Sequence, residues 1–159
     1  TSRRMWRALS LLAGATALYR VEIHIAGRQP NKKDWEAQAV DEYATRLRGT
    51  VDVTTTWYKT GASLEKRLGA LAPVVCLDPR GEKADSERFA ELLFDGLDAG
   101  GSRMHVAIGP AEGFSDELRR SSTLLSLSKL TFPHQVARVL LAEQIYRAAE
   151  IRRGSGYHK

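Results

Sequence analysis

The sequence contains few of the residues that cross-link small proteins or bind metals. Cys76 is the single cysteine among 159 residues, which excludes an internal disulfide framework and a cysteine-based zinc site. It lies in the apolar run PVVCLD, where a buried thiol is the expected state. Because the chain also lacks an HExxH motif and any His/Cys grouping along its length, we predict that it binds no metal.

The familiar phosphate-binding motifs are absent as well. No GxGxxG follows the first predicted strand and no GxxxxGKS/T occurs in the chain, which argues against a dinucleotide or nucleoside triphosphate site. The apolar run ALSLLAGATAL near the N-terminus is far too short to span a bilayer. We therefore expect no membrane partner.

Positive charge is concentrated at the start of the chain. Residues 1–20 contain four arginines and no acidic residue, so they carry +4 of the formal net charge of +5. An Arg-rich, acid-free segment that can form an amphipathic helix is typical of an organellar transit sequence. We interpret residues 1–18 as a basic N-terminal extension that directs the protein to a mitochondrion or chloroplast. The open alternative is that the extension is an expression artefact, in which case we expect a cytoplasmic protein.

The rest of the chain alternates short apolar segments with amphipathic ones. Strands are predicted at 19–27, 51–59, 73–78, within 104–114 and within 124–132, and helices at 32–49, 63–72, 85–100, 115–122 and 135–153. The predicted helix N-caps are Asp34, Ser63, Asp85 and Ser115. This order predicts one α/β domain over residues 19–159, with a mostly parallel sheet flanked by helices.

Three loop segments are expected to meet at one edge of this sheet. Ligands of an open parallel sheet bind beyond the carboxyl ends of its strands, and LDPRGE, IGPAEGF and LSKLTFPH follow three of the predicted strands. Their glycine, apolar and hydroxyl groups suit an adenosine; these residues are Leu77, Gly109, Ser128, Leu130, Thr131 and Phe132. Ordinary strand-to-helix turns remain the open alternative.

The last helix and the tail add basic and aromatic groups. Arg138 is predicted on the apolar side of the helix, where a guanidinium needs a ligand, a subunit or access to water. The tail ends with Tyr157, His158 and Lys159. Such residues bind phosphates and stack on unpaired bases, although solvated tails have similar compositions.

The segments VVCLDPRGE, VAIGPAEGF, LSLSKLTFPHQVARVLLAEQIYRA and the closing YHK together resemble the RlmH family of ribosomal RNA large-subunit methyltransferases. The resemblance runs from about Tyr19 to Lys159. It implies a SPOUT-type α/β fold with a C-terminal trefoil knot. It also implies a homodimer that transfers a methyl group from S-adenosyl-L-methionine to N3 of a pseudouridine, with large-subunit rRNA or a ribosomal particle as partner.

The same resemblance assigns residues to the site. It implies that the cofactor is held by Leu77, Gly109, Pro110, Ser128, Lys129, Leu130, Thr131, Phe132 and Pro133. Arg138 is the candidate for a cation that favours the deprotonated imide, on a helix that packs against the partner subunit. His134, Tyr157 and His158 are candidates for binding the substrate or handling its proton.

Pro110 departs from the family pattern, which has IGG where this chain has IGP. Proline removes a backbone N–H and fixes φ, so a cofactor that used this amide would lose a bond. The alternative hypothesis is therefore a SPOUT fold with weak or no catalytic activity that acts as a ribosome-assembly or RNA-binding factor.

Overall fold

The structure is a computed structural model that describes residues 18–159. The predicted basic extension, apart from its last residue, lies outside the described residues. Within the described part, no helix combines the length and the apolar character needed to cross a membrane.

Five parallel strands form one sheet in the described part of the chain. The strands are β1 (Tyr19–Ala26), β2 (Val51–Tyr58), β3 (Val74–Lys83), β4 (Arg103–Ile108) and β5 (Thr123–Ser126), in the order β2-β1-β4-β3-β5. All four strand pairings are parallel. The helices between and after them are α1 (Trp35–Arg46), α2 (Gly61–Leu68), α3 (Ser86–Ala99), α4 (Asp116–Ser121) and α5 (His134–Arg153). The predicted α/β class is confirmed; the C-terminal knot stays a prediction.

Helices cover both faces of the sheet, and most side chains of the central strands β1 and β4 are buried. Val21, Ile23 and Ile25 of β1 point to one face and join a core with α3 and α5. The other face packs against α2 and α4, where Cys76 is fully buried. The prediction of a buried thiol is therefore confirmed. Burial raises the pKa of the Cys76 thiol to about 11, so the group is unreactive at neutral pH.

Helix starts are only partly as predicted. Asp85 and Ser115 are confirmed as caps, each accepting a hydrogen bond from the backbone N–H three residues later. The prediction of Ser63 as the α2 cap is wrong, because Thr60 is the cap and the two hydroxyls bond each other's backbone amides in a capping box. Asp34 stands at the cap position of α1 but makes no side-chain cap bond. Its carboxylate instead accepts from the backbone N–H of Asn31, at 2.8 Å.

Strand β3 continues past the predicted end at Asp78. It pairs with β5 before and after a break in register, so that Leu77 and Glu82 both face Leu125. Gly81 lies in this break, and a Cβ added there would come within 2.7 Å of backbone atoms of Leu124 and Leu125. The two main chains can therefore approach this closely only without a side chain at Gly81.

Candidate functional site

The carboxyl ends of β3, β4 and β5 surround a cavity of about 880 Å³. Its walls are residues 77–80 of β3, the loops after β4 and β5, Arg119 of α4 and the first turn of α5. This size lies within the range of small-molecule sites. Eight of the nine predicted cofactor residues line the cavity: Leu77, Gly109, Pro110, Ser128, Leu130, Thr131, Phe132 and Pro133.

Lys129, the ninth predicted cofactor residue, is not on the cavity wall. Its side chain is exposed, and an unpaired ammonium group remains in water because its desolvation is costly. The cofactor-binding role of Lys129 therefore stays a prediction, while its two neighbours in the loop do line the cavity.

The Gly109–Gly113 loop is shaped by close contacts. A Cβ added to Gly109 would lie 3.0 Å from the ring of Phe114, so glycine lets this buried ring pack against the main chain. The carbonyl of Pro110 accepts a hydrogen bond from the N–H of Gly113 at 2.9 Å. The Pro110 ring fits because it faces Gly61, where an added Cβ would be 3.0 Å from its Cγ. The loop is thus well packed with proline in place of the family's second glycine.

Hydroxyl groups hold the irregular loop between β5 and α5. Ser126 Oγ donates to the carbonyl of Ser128 at 2.9 Å, and Ser128 Oγ accepts from the N–H of Leu130 at 3.0 Å. Leu130 is 72% exposed at the cavity rim. A large apolar side chain left in water beside a cavity is available to cover a ligand.

An ion pair in the cavity wall was not predicted from the sequence. Asp78 is 3% exposed, and its Oδ2 lies 2.8 Å from Nε of Arg119, while Oδ1 accepts from the N–H of Arg80 at 2.9 Å. Burial raises the pKa of Asp78, but these two hydrogen bonds and the nearby arginine charges outweigh it and hold the pKa below its usual value. The pair connects the end of β3 to α4.

His134 is the one predicted catalytic residue on the cavity wall. It begins α5, and its imidazole lies against Gly27 at the end of β1, where an added Cβ would be 3.4 Å from Cε1. Gly27 has φ +146°, a conformation that favours glycine. The end of β1 is thereby held next to the cavity entrance.

Arg138 does not line the cavity; it lies over the edge strand β2. Nη2 donates to Oγ1 of Thr55 at 3.3 Å, and the guanidinium carbon is 5.1 Å from the ring centre of Trp57. Arg138 is only 8% exposed, and neither Nε nor Nη1 has a hydrogen-bond partner among the described residues. Burial lowers the pKa of Arg138. Two buried donors without acceptors are costly, so an acceptor from outside the described residues would stabilise Arg138 in this position.

The C-terminal tail folds back along the second half of α5 and onto the start of α3. Tyr157 donates its hydroxyl to Oε1 of Glu143 at 3.2 Å. The His158 ring lies between Arg147 and Glu87, at 3.2 Å and 2.9 Å. Glu143 and Arg147 are 9 and 13 residues after the first residue of α5, which is roughly 14 and 20 Å along the helix. Neither Tyr157 nor His158 lines the cavity of its own chain.

Comparison with known proteins identifies the family. A family model described as "Predicted SPOUT methyltransferase" matches residues 20–158. The "Ribosomal RNA large subunit methyltransferase H" of Protochlamydia amoebophila is 40% identical over 139 residues, covering 87% of this chain and 99% of that protein. The protein of the same name from Pelobacter propionicus is 37% identical, covering 80% and 93%. A solved SpoU methyltransferase, AviRb from Streptomyces viridochromogenes, is 15% identical with a TM-score of 0.38, covering 92% of this chain and 65% of that one.

The ion pair makes a prediction about acid stability. The pKa of Asp78 is lower in the folded chain than its ordinary value of about 3.9, so the pair's contribution is present above that value and is lost as the pH falls below it. We expect Asp78→Asn to destabilise the fold by about 1–3 kcal/mol at pH 7. Urea unfolding of wild type and variant at pH 7 and at several acidic pH values measures the difference, which should shrink in acid.

The matched control is Asp116→Asn. Asp116 is the other carboxylate beside Arg119, but its side chain is 74% exposed, so the change should cost less than about 0.5 kcal/mol. A difference between wild type and Asp78→Asn that stays constant with pH would contradict the assignment.

Proposed function

Because the chain belongs to the RlmH family of SPOUT methyltransferases, it is an S-adenosylmethionine-dependent ribosomal RNA methyltransferase, and we propose that its target atom is N3 of a pseudouridine in large-subunit rRNA. The observation that carries the proposal is the cavity at the carboxyl ends of β3, β4 and β5. Eight of the residues predicted for the cofactor line that cavity together with His134.

The cavity wall suits S-adenosylmethionine. Leu77, Leu130 and Phe132 offer apolar surface for the adenine ring, and the glycine loop after β4 leaves main-chain groups close to the ligand. The volume of about 880 Å³ accommodates a ligand of this size. When bound, the cofactor supplies a methyl group on a positively charged sulfur, which makes that carbon electrophilic.

The chemistry at N3 defines what the protein must do. The N3–H of pseudouridine is a weakly acidic imide, so the protein must supply a group that accepts this proton. The residues of the cavity wall would hold the cofactor so that its methyl group is presented to N3. A cation beside the imide favours its deprotonated form. His134, which lines the cavity, is the candidate for handling the proton, and Arg138, one helical turn later, is the candidate cation.

The active unit of this proposal is a homodimer. Neither Tyr157 nor His158 lines the cavity of its own chain, and their contacts on α5 lie roughly 14 and 20 Å along the helix from His134. Two buried donors of Arg138 have no acceptor among the described residues, and a second copy is one source of such an acceptor. A second copy whose tail reaches the first copy's cavity would bring the predicted catalytic groups together, with the RNA base between them.

An organellar location is part of the proposal and rests on the sequence alone. Residues 1–20 hold four arginines and no acid, the composition of a transit sequence. The remaining residues carry a formal charge of only +1, which suits recognition of an assembled ribosomal surface better than tight binding to free RNA.

The first prediction of the proposed function concerns cofactor binding. We expect calorimetric titration with S-adenosylmethionine to show binding by the wild type and a loss of about tenfold or more, or at least about 1.4 kcal/mol, in Gly109→Ala. The added methyl group would displace the Phe114 ring, 3.0 Å away, and deform the wall.

Gly69→Ala is the control, because an added Cβ there meets its neighbours at an ordinary 3.7 Å. Equal affinity in wild type and Gly109→Ala would remove this loop from the cofactor site. No binding by the folded wild type would instead favour the alternative hypothesis. In that case Pro110 prevents cofactor binding, and the protein acts as a ribosome-assembly or RNA-binding factor.

The second prediction concerns the cation. We expect Arg138→Ala to abolish methyl transfer to large-subunit rRNA or whole particles while changing S-adenosylmethionine affinity by less than about twofold, because Arg138 is off the cavity wall. Arg48→Ala, an exposed arginine just after α1, should keep full activity. A fully active Arg138→Ala enzyme would eliminate this residue from the mechanism.

The third prediction tests the exchange of tails between subunits. His134→Ala and the double variant Tyr157→Ala/His158→Ala should each be inactive alone. If each tail serves the partner's cavity, mixed dimers of the two contain one intact site and one doubly defective site, and should recover up to about half of the wild-type activity. The measurement is methyl transfer after the two variants have been mixed and have exchanged subunits. Mixed dimers as inactive as their parents would show that the tail does not act on the partner's cavity.

A further inference from the structure

Two buried histidines and a glutamate meet on the sheet face that packs against α2. His24 on β1 and His105 on β4 are 0% and 4% exposed, with Nε2 of the first 2.9 Å from Nδ1 of the second. The register pairs Glu22 with His105, and Oε2 of Glu22 lies 3.7 Å and 3.5 Å from the two nitrogens. None of the three lines the cavity described above.

The spacing of these three atoms matches a first coordination shell. Ligand atoms bound at about 2.1 Å to a tetrahedral ion lie roughly 3.4 Å apart, and the observed separations of 2.9, 3.5 and 3.7 Å have that mean value. By triangulation, one point lies about 2.0 Å from all three atoms. An ion at that point would lie at bonding distance from all three ligand atoms and would replace the hydrogen bond between the two rings.

The remaining atoms of two ligands are held by neighbouring side chains. Thr56 donates its hydroxyl to Oε1 of Glu22 at 2.6 Å, which leaves Oε2 directed to the cluster. The Tyr58 hydroxyl is 2.8 Å from Nδ1 of His24, and as an acceptor it places the ring proton on Nδ1 and the lone pair on Nε2. Outer partners of this kind fix ligand orientation in metal sites.

We propose that Glu22, His24 and His105 form a binding site for Zn²⁺ or a similar divalent transition ion. Two imidazoles and one carboxylate suit such ions, whereas Ca²⁺ and Mg²⁺ prefer shells of oxygen atoms. The side chain of Glu22 is 31% exposed, which gives an ion a route from solvent. The exposed Arg67 contributes an opposing positive charge, which the Glu22 carboxylate offsets.

The ion would join β1 to β4 and is independent of the proposed methyl transfer. His105 lies four residues before Gly109 of the cavity wall, so the site is about 10 Å or more along the strand from the reaction. Its expected effect is therefore on stability, because an ion that binds only the folded chain raises the melting temperature.

The experiment uses the untagged full chain, freed of metal with a chelator and titrated with Zn²⁺ alone by calorimetry. We expect one equivalent to bind. Glu22→Gln retains the acceptor for Thr56 but loses the charged ligand and should weaken binding by about tenfold or more; Tyr58→Phe should weaken it by about 10–100-fold. His158→Gln, which changes an imidazole outside the cluster, should bind like the wild type.

Two further measurements separate a metal site from a purely structural network. Co²⁺ should give visible absorption bands of a tetrahedral nitrogen- and oxygen-ligated ion in the wild type but not in Glu22→Gln. Zn²⁺ should raise the melting temperature of the wild type only, while the two proteins melt alike in chelator, which shows that the variant folds. Absence of saturable binding by the wild type, or equal binding by Glu22→Gln, would overturn the proposal whatever the methyltransferase activity.

Discussion

The parallel pairing of β4 with β1 on one side and β3 on the other is the constraint on which the rest of the structure depends. Val106, Ala107 and Ile108 of β4 are at most 5% exposed although they alternate between the two faces. A strand buried on both faces leaves no room for a ligand along its length. A cavity large enough for an organic cofactor is thus confined to the strand ends, and parallel pairing brings the carboxyl ends to one edge, where Gly109 and its loop meet residues 77–80 of β3 and the loop after β5.

Features that depend on short stretches of sequence were predicted well. Alternation and helical spacing located the elements, and the rule for strand ends indicated six residues that line the cavity, because both depend on neighbours along the chain. The family resemblance added Pro110, Lys129 and Pro133. Pro110 and Pro133 line the cavity, whereas the charged side chain of Lys129 lies in water and its part in holding the cofactor stays a prediction.

Contacts that depend on strand order could not be predicted in this way. Asp78 and Arg119 are 41 residues apart, and His24 and His105 are 81 apart. Periodicity indicates that each residue lies on a strand or helix, but not that β1 neighbours β4 rather than β3. A search for metal ligands along the sequence therefore found no His grouping, although the sheet places two imidazoles side by side.

The single chain keeps two groups of predicted catalytic residues apart. His134, the first residue of α5, lies at the cavity, whereas Tyr157 and His158 contact side chains further along α5 and at the start of α3 and do not line it. The contacts on α5 lie roughly 14–20 Å along the helix from His134. Two buried donors of Arg138 have no acceptor among the described residues, and such burial is costly. The proposed homodimer accounts for both observations, because a second copy would bring another tail and further acceptors; under that proposal, methyl transfer depends on assembly as well as on folding.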